Sequence, residues 1–257
     1  MSVQSFPHKR LPDQISIGFG PPDILGPLFL KLDRAVRDRG IYLSVSHDLD
    51  ELVDINKRNL TAWYPLLPMF NPNFGGATGE NTFWIRGVNE RGEVVLTQAA
   101  RLYFWPDSTL DNELETQGFF YADPSKHAHF GEHCIVGTKA LHAIRGRTCF
   151  TGGLWFHPSY RGRGLAHIMP RLTRAYAVTT WYPEYFFSIL QKHIVSAGMP
   201  KVYGWRHLDG PVLWRGCPLY GDLDLAVGWM DTDEAVDDLA NAQMNGLEAT
   251  QPSSSVF

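Results

Sequence analysis

The 257-residue sequence has little cysteine, no long apolar run and no excess of positive charge, and each shortage excludes a class of protein. Its three cysteines, Cys134, Cys149 and Cys217, lie far apart and cannot all pair, so we expect free thiols in a reducing compartment. No 18-residue apolar run occurs, and residues 1–20 hold no apolar leader-type segment, which predicts a cytoplasmic protein without a membrane partner. The formal net charge of −4 argues against a nucleic-acid partner.

What the sequence does contain is typical of a globular enzyme-sized chain. Hydrophobic residues make up 44% and charged residues 19%, and the length allows one large domain or two small ones. Aromatic residues are frequent at 13%, which predicts a core or a cleft rich in rings.

The most informative stretch begins with the apolar residues 154–156 and continues through Pro158 and a basic, glycine-rich loop into a helix. The predicted helix has one apolar face, made of Leu165, Ile168, Met169, Leu172, Ala175 and Tyr176. Its first turn leaves main-chain N–H groups without internal partners, and the helix dipole adds positive charge there. Gly162 and Gly164 let a ligand approach the main chain, and Arg161 and Arg163 add full charges. The stretch therefore predicts an anion site suited to a pyrophosphate.

Two common phosphate loops do not fit this stretch. No Gly-Lys-Ser/Thr follows, which excludes a Walker loop, and the Gly-x-Gly-x-x-Gly dinucleotide pattern is absent. A bare strand–helix turn would not need the strand, the proline, the paired arginines and the paired glycines in this order.

The pattern Arg161-x-x-Gly164-x-Ala166, preceded by a strand, a proline and Tyr160, resembles the acyl-CoA pyrophosphate loop of the GNAT acyltransferases. In that family the pattern is Arg or Gln, two residues, Gly, one residue, then Gly or Ala. The resemblance is specific for residues 153–177, and Pro170 inside the helix departs from it. It implies acetyl-CoA or another acyl-CoA as co-substrate, with these binding residues: Leu154, Trp155, Phe156, Arg161, Gly162, Arg163, Gly164, Leu165 and Ala166.

The resemblance also implies a fold. We expect an α/β protein with a mixed, mostly antiparallel twisted sheet, flanked by helices and splayed between the family's strands four and five. Residues 1–257 would form a single acyltransferase domain with an N-terminal extension (1–40), an insertion (106–147) and a short disordered tail (247–257). The insertion is expected either to lie over the acceptor side of the cleft or to be a surface elaboration for stability or homodimer contact.

The residue patterns predict the elements along the chain. The first half should hold a loose arm at 1–13, a short edge strand at 14–19, a helix at 23–39, a strand at 41–45, a helix capped by Asp48 and Glu51, an ordered loop at 63–79, and a hairpin of strands at 82–88 and 94–105. The second half should hold a helix or hairpin near 135–144, a strand at 185–189, a helix at 191–197 ended by Gly198, strands at 201–207 and 223–229, and a helix capped by Asp231 and Glu234.

The function implied by the resemblance is transfer of an acyl group, with acetyl as the expected one, from acyl-CoA to an amine of a small molecule or peptide by direct attack. A non-catalytic CoA-binding regulatory module is the alternative, and an interaction protein with a degenerate loop is a third hypothesis. The family's general acid is often a Tyr four residues before the glycine that ends the helix, but that position is Ile194 here.

No residue is therefore assigned to catalysis. Tyr203, Tyr185 or a water molecule are candidate acids, and Glu80, Asp107, Glu113 and Glu115 are candidate bases that are otherwise solvated surface charges. His157, just before Pro158, is predicted to be a packed or capped strand residue more than a catalytic one. The cluster of His127, His129, His133 and Cys134 has no spacing typical of a zinc module, so we predict no metal site.

Overall fold

The structure, a computed structural model, describes residues 10–245. Its strands are β1 Tyr42–Ser46, β2 Thr82–Val88, β3 Val94–Trp105, β4 His133–Val136, β5 Gly146–Phe156, β6 Tyr185–Gln191, β7 His207–Cys217 and β8 Gly221–Asp231. Its helices are α1 Leu11–Gln14, α2 Pro22–Arg37, α3 Leu49–Arg58, α4 Leu110–Glu115, α5 Pro124–His127, α6 Leu165–Trp181, α7 Lys192–Ser196, α8 Met199–Val202 and α9 Thr232–Asn245. The predicted tail at 247–257 and most of the predicted arm lie outside the described residues.

The strands form one sheet in the order β1-β2-β3-β5-β6-β8-β7-β4. Every neighbouring pair is antiparallel except β5 and β6, which are parallel. The predicted fold class, a mixed and mostly antiparallel sheet flanked by helices, is confirmed. The hairpin of β2 and β3 has the predicted bounds.

Successive residues of the central strands belong to two separate hydrophobic cores, because side chains alternate between the faces of a strand. Cys149 and Phe186 belong to a core that α2, α6 and α9 cover, whereas their neighbours Phe150 and Phe187 belong to a second core on the other face. The second core is lined by rings and holds residues from α3, from the loop before β2 and from the insertion. The cleft described below lies between these two cores.

The insertion at 106–147 supplies part of the second core. Phe119 and Phe120 are completely buried, and the Phe120 ring stacks on Trp214 of β7 with centroids 4.2 Å apart. The helix or hairpin predicted near 135–144 is wrong, because β4 is a single strand that pairs with β7 at the sheet edge, followed by the 3-10 helix Ala140–Ala143. The partner strand comes late in the chain, so no local pattern could indicate it.

Two predicted strands are wrong because their main-chain groups bond elsewhere. Residues 14–19 follow α1 as an irregular segment, whose Gly18 and Phe19 amides donate to Thr179 at the end of α6. Residues 201–207 are the end of α8 and a turn, in which Gly204 has a φ of +80° and the Trp205 amide donates to the Pro200 carbonyl. A glycine in the left-handed region ends the helix, and the strand begins only at residue 207.

The predicted helix caps are confirmed in detail. The Glu51 amide donates to Asp48 Oδ1 at 2.9 Å, which fixes the start of α3. At the start of α9 the Glu234 amide donates to Asp231 Oδ1, while the Asp231 amide donates to Glu234 Oε2, a reciprocal capping box. The predicted helix at 23–39 is observed as α2, and Gly40 behind it has a φ of +75°.

Candidate active site

A cleft opens where β5 and β6 part. The two strands pair only from Thr148 opposite Tyr185 to Phe150 opposite Phe187, and their remaining residues separate. The predicted splay is therefore present, since β5 and β6 correspond to the family's strands four and five. Ser188 Oγ donates to the Thr151 carbonyl at 2.7 Å, directly beyond the last paired residues.

The cavity in this cleft has a volume of about 370 Å³. Its walls come from the parted halves of β5 and β6, from the loop before β2, from α6 and α7, from the turn after α8 and from β8. The lining residues include Trp63, Leu66, Leu67, Gln98, Leu154, Trp155, Phe156, Arg161, Pro170, Gln191, His193, Ile194, Tyr203, Trp205, Tyr220 and Leu223. The ordered loop predicted at 63–79 thus supplies one wall through its first residues, and Trp63 stacks on Trp155 with centroids 5.2 Å apart.

A β-bulge in β5 shapes the floor of the cleft. Thr97 lies opposite Trp155 and Ala99 opposite Gly152, so two residues of β5 face the single Gln98 of β3. Gly153 in the bulge has a φ of +60°, and its carbonyl accepts a hydrogen bond of 2.9 Å from Thr97 Oγ1. A bulge leaves one residue out of the ladder and re-aims its main-chain groups. The main chain of β5 therefore presents unpaired polar groups at the cleft.

The basic loop lies at the mouth of this cleft and leads into α6. Gly162 and Gly164 have φ values of +71° and +72°, a region that glycine adopts without steric cost. Within the described residues, the amide N–H groups of residues 162–166 have no hydrogen-bond acceptor. These free donors and the positive end of the α6 dipole converge on one place, which can hold an anion.

Three arginines hold the loop and keep their charges beside it. Arg161 donates to the carbonyls of Ala62 at 2.7 Å and Phe156 at 3.2 Å, which joins the loop to the wall of the cleft. The Arg163 guanidinium lies over the Tyr160 ring, 4.4 Å from its centroid, and donates to Ser159 O. Arg39, just after α2, donates to Arg163 O at 2.6 Å and was not indicated by any local sequence signal.

The structure divides the predicted binding residues into two groups. Leu154, Trp155, Phe156 and Arg161 line the cleft itself. Gly162, Arg163, Gly164, Leu165 and Ala166 form the loop and the first turn of α6 at its mouth. Pro170 does not end α6, which runs from Leu165 to Trp181, and its ring lies in the wall of the cleft.

The two candidate acids, Tyr203 and Tyr185, lie in different surroundings. Tyr203 lines the cleft, and burial raises the pKa of its phenol to about 12. Tyr185 lies at the start of β6, packs near Trp229 and is not part of the lining, so the structure does not favour it as a replacement for the missing acid. Ile194 and the exposed His193 both line the cleft.

Neither the candidate bases nor the histidine cluster lies in the cleft. Glu80, Asp107, Glu113 and Glu115 are absent from its lining, as is every residue of the insertion. His157 follows β5 directly, and its Nδ1 accepts from the Ser159 amide, so it caps the 3-10 helix Pro158–Tyr160 and is not part of the strand. Among residues 10–245 no group of three metal-ligating side chains is close enough to hold an ion, and Cys134, Cys149 and Cys217 are buried free thiols.

Comparison with known proteins agrees with this site. The model of the Acetyltransferase (GNAT) family matches residues 78–180, which run from before β2 to the end of α6 and include the bulge and the loop. The resemblance to the GNAT family is thereby confirmed over this segment. No curated protein sequence matches the chain.

Solved acetyltransferase structures resemble this chain at low sequence identity. NAA60 from Arabidopsis thaliana, in complex with acetyl-CoA, is 13% identical with a TM-score of 0.44, and the alignment covers 75% of this chain and 99% of that one. A spermidine N-acetyltransferase from Vibrio cholerae is 9% identical with a TM-score of 0.43, with 79% and 96% covered. Similarity at this level carries no information about a substrate of this chain. No helix in residues 10–245 has the length and apolar character to cross a membrane.

Proposed function

We propose that the protein is an N-acyltransferase that transfers an acyl group, acetyl in the simplest case, from acyl-CoA to an amine by direct attack. The observation that carries the proposal is the coincidence, in one place, of the parted strands, the bulge and the loop with free amides. The family match over residues 78–180 includes most of these features. The chain would act as one domain, because strands from the whole described length share the sheet.

The loop would bind the pyrophosphate of CoA. Its free amides at residues 162–166 can donate to phosphate oxygens, and the α6 dipole favours negative charge at the same point. Arg39, Arg161 and Arg163 add positive charge around it, although each also holds the loop through hydrogen bonds to main-chain carbonyls. Phosphates thus meet donors that are already fixed in position, which lowers the entropy cost of binding.

The pantetheine arm would lie in the gap between β5 and β6. Beyond Phe150, β5 pairs with β3 on one side and, within the described part of the chain, has no partner strand on the other. Its main chain at Leu154, Trp155 and Phe156 can therefore pair with the amides of pantetheine, as an added strand would. This places the thioester near the bulge at Gly153.

Catalysis would come mainly from position and from main-chain donors. An unpaired amide at the bulge can donate to the thioester oxygen and stabilise the negative charge that develops on it during attack. Holding the amine and the thioester together supplies proximity. The new bond forms between nitrogen and the acyl carbon, the carbon–sulfur bond breaks, and the amine proton replaces the acyl group on sulfur.

Tyr203 would stabilise the leaving thiolate by a hydrogen bond. The pKa of its phenol, about 12, lies well above the pKa of about 8.5 that is usual for a thiol. A phenol this weak stays protonated at neutral pH and donates a hydrogen bond without giving up its proton. Solvent would then deliver the proton to sulfur. A hydrogen bond to a charged group contributes about 1.5–3 kcal/mol.

A non-catalytic CoA-binding module is the second candidate, and one observation favours it. The position that holds Tyr in much of the family is Ile194 here, and its side chain lies in the cleft without any acidic group. Such a protein would bind CoA through the same loop and strands but release no thiol in the presence of an amine.

Two measurements test the proposal. The melting temperature should rise with CoA and much less with pantetheine, because only CoA carries the pyrophosphate that the loop would hold. Acetyl-CoA with a mixed library of amines should then release free thiol, detected by a colorimetric reagent. Binding of CoA without thiol release would support the second candidate, and an equal shift with CoA and pantetheine would refute the role of the loop.

A further inference from the structure

One wall of the cleft is apolar and aromatic, and it lies on the face of the sheet away from α6. We call it the ring wall, and its members are Trp63, Leu66, Phe150, Tyr220, Leu223 and Leu225. All six belong to the second core or pack against it, whereas the loop and α6 belong to the first. If CoA enters from the loop and its pantetheine arm lies in the gap between β5 and β6, as proposed above, the ring wall is the side left for the amine substrate.

Among its described lining residues, the cleft has no counter-ion for a cationic amine. Its described lining residues include no Asp or Glu. The only arginine among them, Arg161, lies at the mouth, where its guanidinium donates to main-chain carbonyls. His193 is exposed and adds no negative charge. An ammonium group moved into such surroundings would lose its hydration without a counter-ion. A protonated amine also has no lone pair with which to attack.

Gln98 is one of two lining residues, with Trp155, that hold a buried polar atom without a hydrogen-bond partner among the described residues. Its side chain lines the cleft beside the bulge, is 3% exposed, and its Oε1 is buried without a hydrogen-bond partner. A buried, unpaired carbonyl-type oxygen is unfavourable by itself, so its presence in a cavity indicates a ligand that donates to it. It lies across from Gly153, where the thioester would be placed.

The rings of the wall are held in fixed positions. Tyr220 donates through its hydroxyl to Leu66 O at 2.7 Å, and Trp63 stacks almost parallel on Trp155, with 13° between the ring planes. Flat rings fixed in this way can pack against a flat substrate. The cavity of about 370 Å³ must also hold part of the pantetheine arm, so the space left suits a single ring.

We infer that the substrate is an arylamine, an amine that is uncharged at neutral pH and carried on one aromatic ring, and that Gln98 positions its nitrogen. The inference rests on the proposed acyltransferase function. An N–H of the amine donates to Gln98 Oε1 while the lone pair attacks the acyl carbon. The carbon–sulfur bond breaks, and the nitrogen loses one proton as the sulfur gains one. Because the amine is already neutral, the cleft needs no carboxylate as base.

The substrate class can be tested with two amines of nearly the same size, 4-methylaniline and benzylamine, each with acetyl-CoA at pH 7. We expect kcat/KM for 4-methylaniline to be at least tenfold higher and nearly constant from pH 7 to 9. The rate with benzylamine should rise with pH as its neutral fraction grows. A preference for benzylamine or for spermidine at pH 7 would overturn the inference.

The role of Gln98 can be tested with Gln98→Met, which keeps the length of the side chain but removes its donor and acceptor. KM for 4-methylaniline should rise about tenfold, while KM for acetyl-CoA stays unchanged. Gln98→Glu supplies a negative charge and should shift the preference toward benzylamine, an effect that a merely structural residue would not give. The melting temperatures show whether both variants fold. If both fold and keep the wild-type preference for 4-methylaniline over benzylamine, the assignment of Gln98 is overturned.

Failure of this inference can be told apart from failure of the acyltransferase proposal. If CoA does not raise the melting temperature, the proposed function itself is wrong. If CoA binds and a cationic amine is acetylated faster than 4-methylaniline, only the substrate class and the role of Gln98 are refuted.

Discussion

Ser188 Oγ donates a hydrogen bond of 2.7 Å to the carbonyl oxygen of Thr151. The two residues directly follow Phe187 and Phe150, the last paired positions of β6 and β5. A side-chain bond therefore joins the strands at the point where their main-chain bonds end. Both residues line the cleft, so this buried contact sets the depth to which a substrate can enter between the strands.

The loop can be tested with two substitutions at one position, Gly164→Gln and Gly164→Glu. Gly164 has a φ of +72°, and an added Cβ would meet only Arg39 Nη2 at 3.7 Å. Both variants should therefore lose about 1 kcal/mol of stability from the backbone strain alone. The carboxylate of Glu would also face the pyrophosphate, and Coulomb repulsion at intermediate dielectric should cost several kcal/mol of binding. Calorimetry should show CoA binding weakened by Gln and abolished by Glu.

Gly92 provides the matched control for this experiment. It has a φ of +77°, lies in the turn between β2 and β3, and an added Cβ would have nothing within 4 Å. Gly92→Glu should carry a similar stability cost and leave CoA affinity unchanged. Equal CoA affinity in Gly164→Glu and Gly92→Glu would mean that the loop does not hold the phosphates.

The sequence predicted those parts of the site that are contiguous in the chain. Residues 153–166 carry the strand, the turn, Gly162 and Gly164 with positive φ, and the start of α6, so their order alone predicted a loop of this geometry. The capped helices α3 and α9 were also predictable, because the residues of a capping box lie within four consecutive positions of the sequence. Local rules determine such features wherever the rest of the chain permits them.

The parts that were missed depend on contacts between distant segments. Arg39 reaches the loop only because α2 packs on the face of the sheet that carries α6. Gln98 is one polar residue among many in the sequence, and its unpaired oxygen becomes visible only when β3 lies opposite the bulge. Residues 201–207 have the apolar content of a strand, but a glycine with positive φ turns the chain there.

Tyr203 offers a test of how the leaving thiolate is stabilised. Tyr203→Phe removes the hydroxyl that lies in the cleft, and within the described residues that hydroxyl has no other hydrogen-bond partner to lose. Loss of one hydrogen bond to a charged group should lower kcat about 10- to 100-fold. CoA affinity should stay unchanged, since the ring remains. Steady-state kinetics with acetyl-CoA and calorimetry with CoA measure the two effects separately.

Tyr185→Phe is the control for this variant, because Tyr185 lies outside the cleft beside Trp229. Its kcat should match that of the parent. If Tyr203→Phe also keeps the parental kcat, solvent or another group stabilises the thiolate, and Tyr203 serves only to fill the wall.

The burial of the three cysteine thiols leads us to predict how the free energy of unfolding changes at alkaline pH. Burial raises the pKa of Cys134 to about 12 and also raises the pKa values of Cys149 and Cys217. A thiol in the unfolded chain ionises near a pKa of about 8.5, so above that pH the unfolded state holds fewer protons than the folded state. The stability that these thiols contribute is therefore complete below pH 8.5 and is lost as the pH rises. Each thiol should lower the free energy of unfolding by about 1.4 kcal/mol per pH unit once it is ionised in the unfolded chain.

Urea unfolding at pH 7.5, 8.5 and 9.5 should show this decline. Cys149→Ala should make the decline less steep by the contribution of one thiol. A free energy of unfolding that stays constant to pH 9.5 would contradict the burial of these groups.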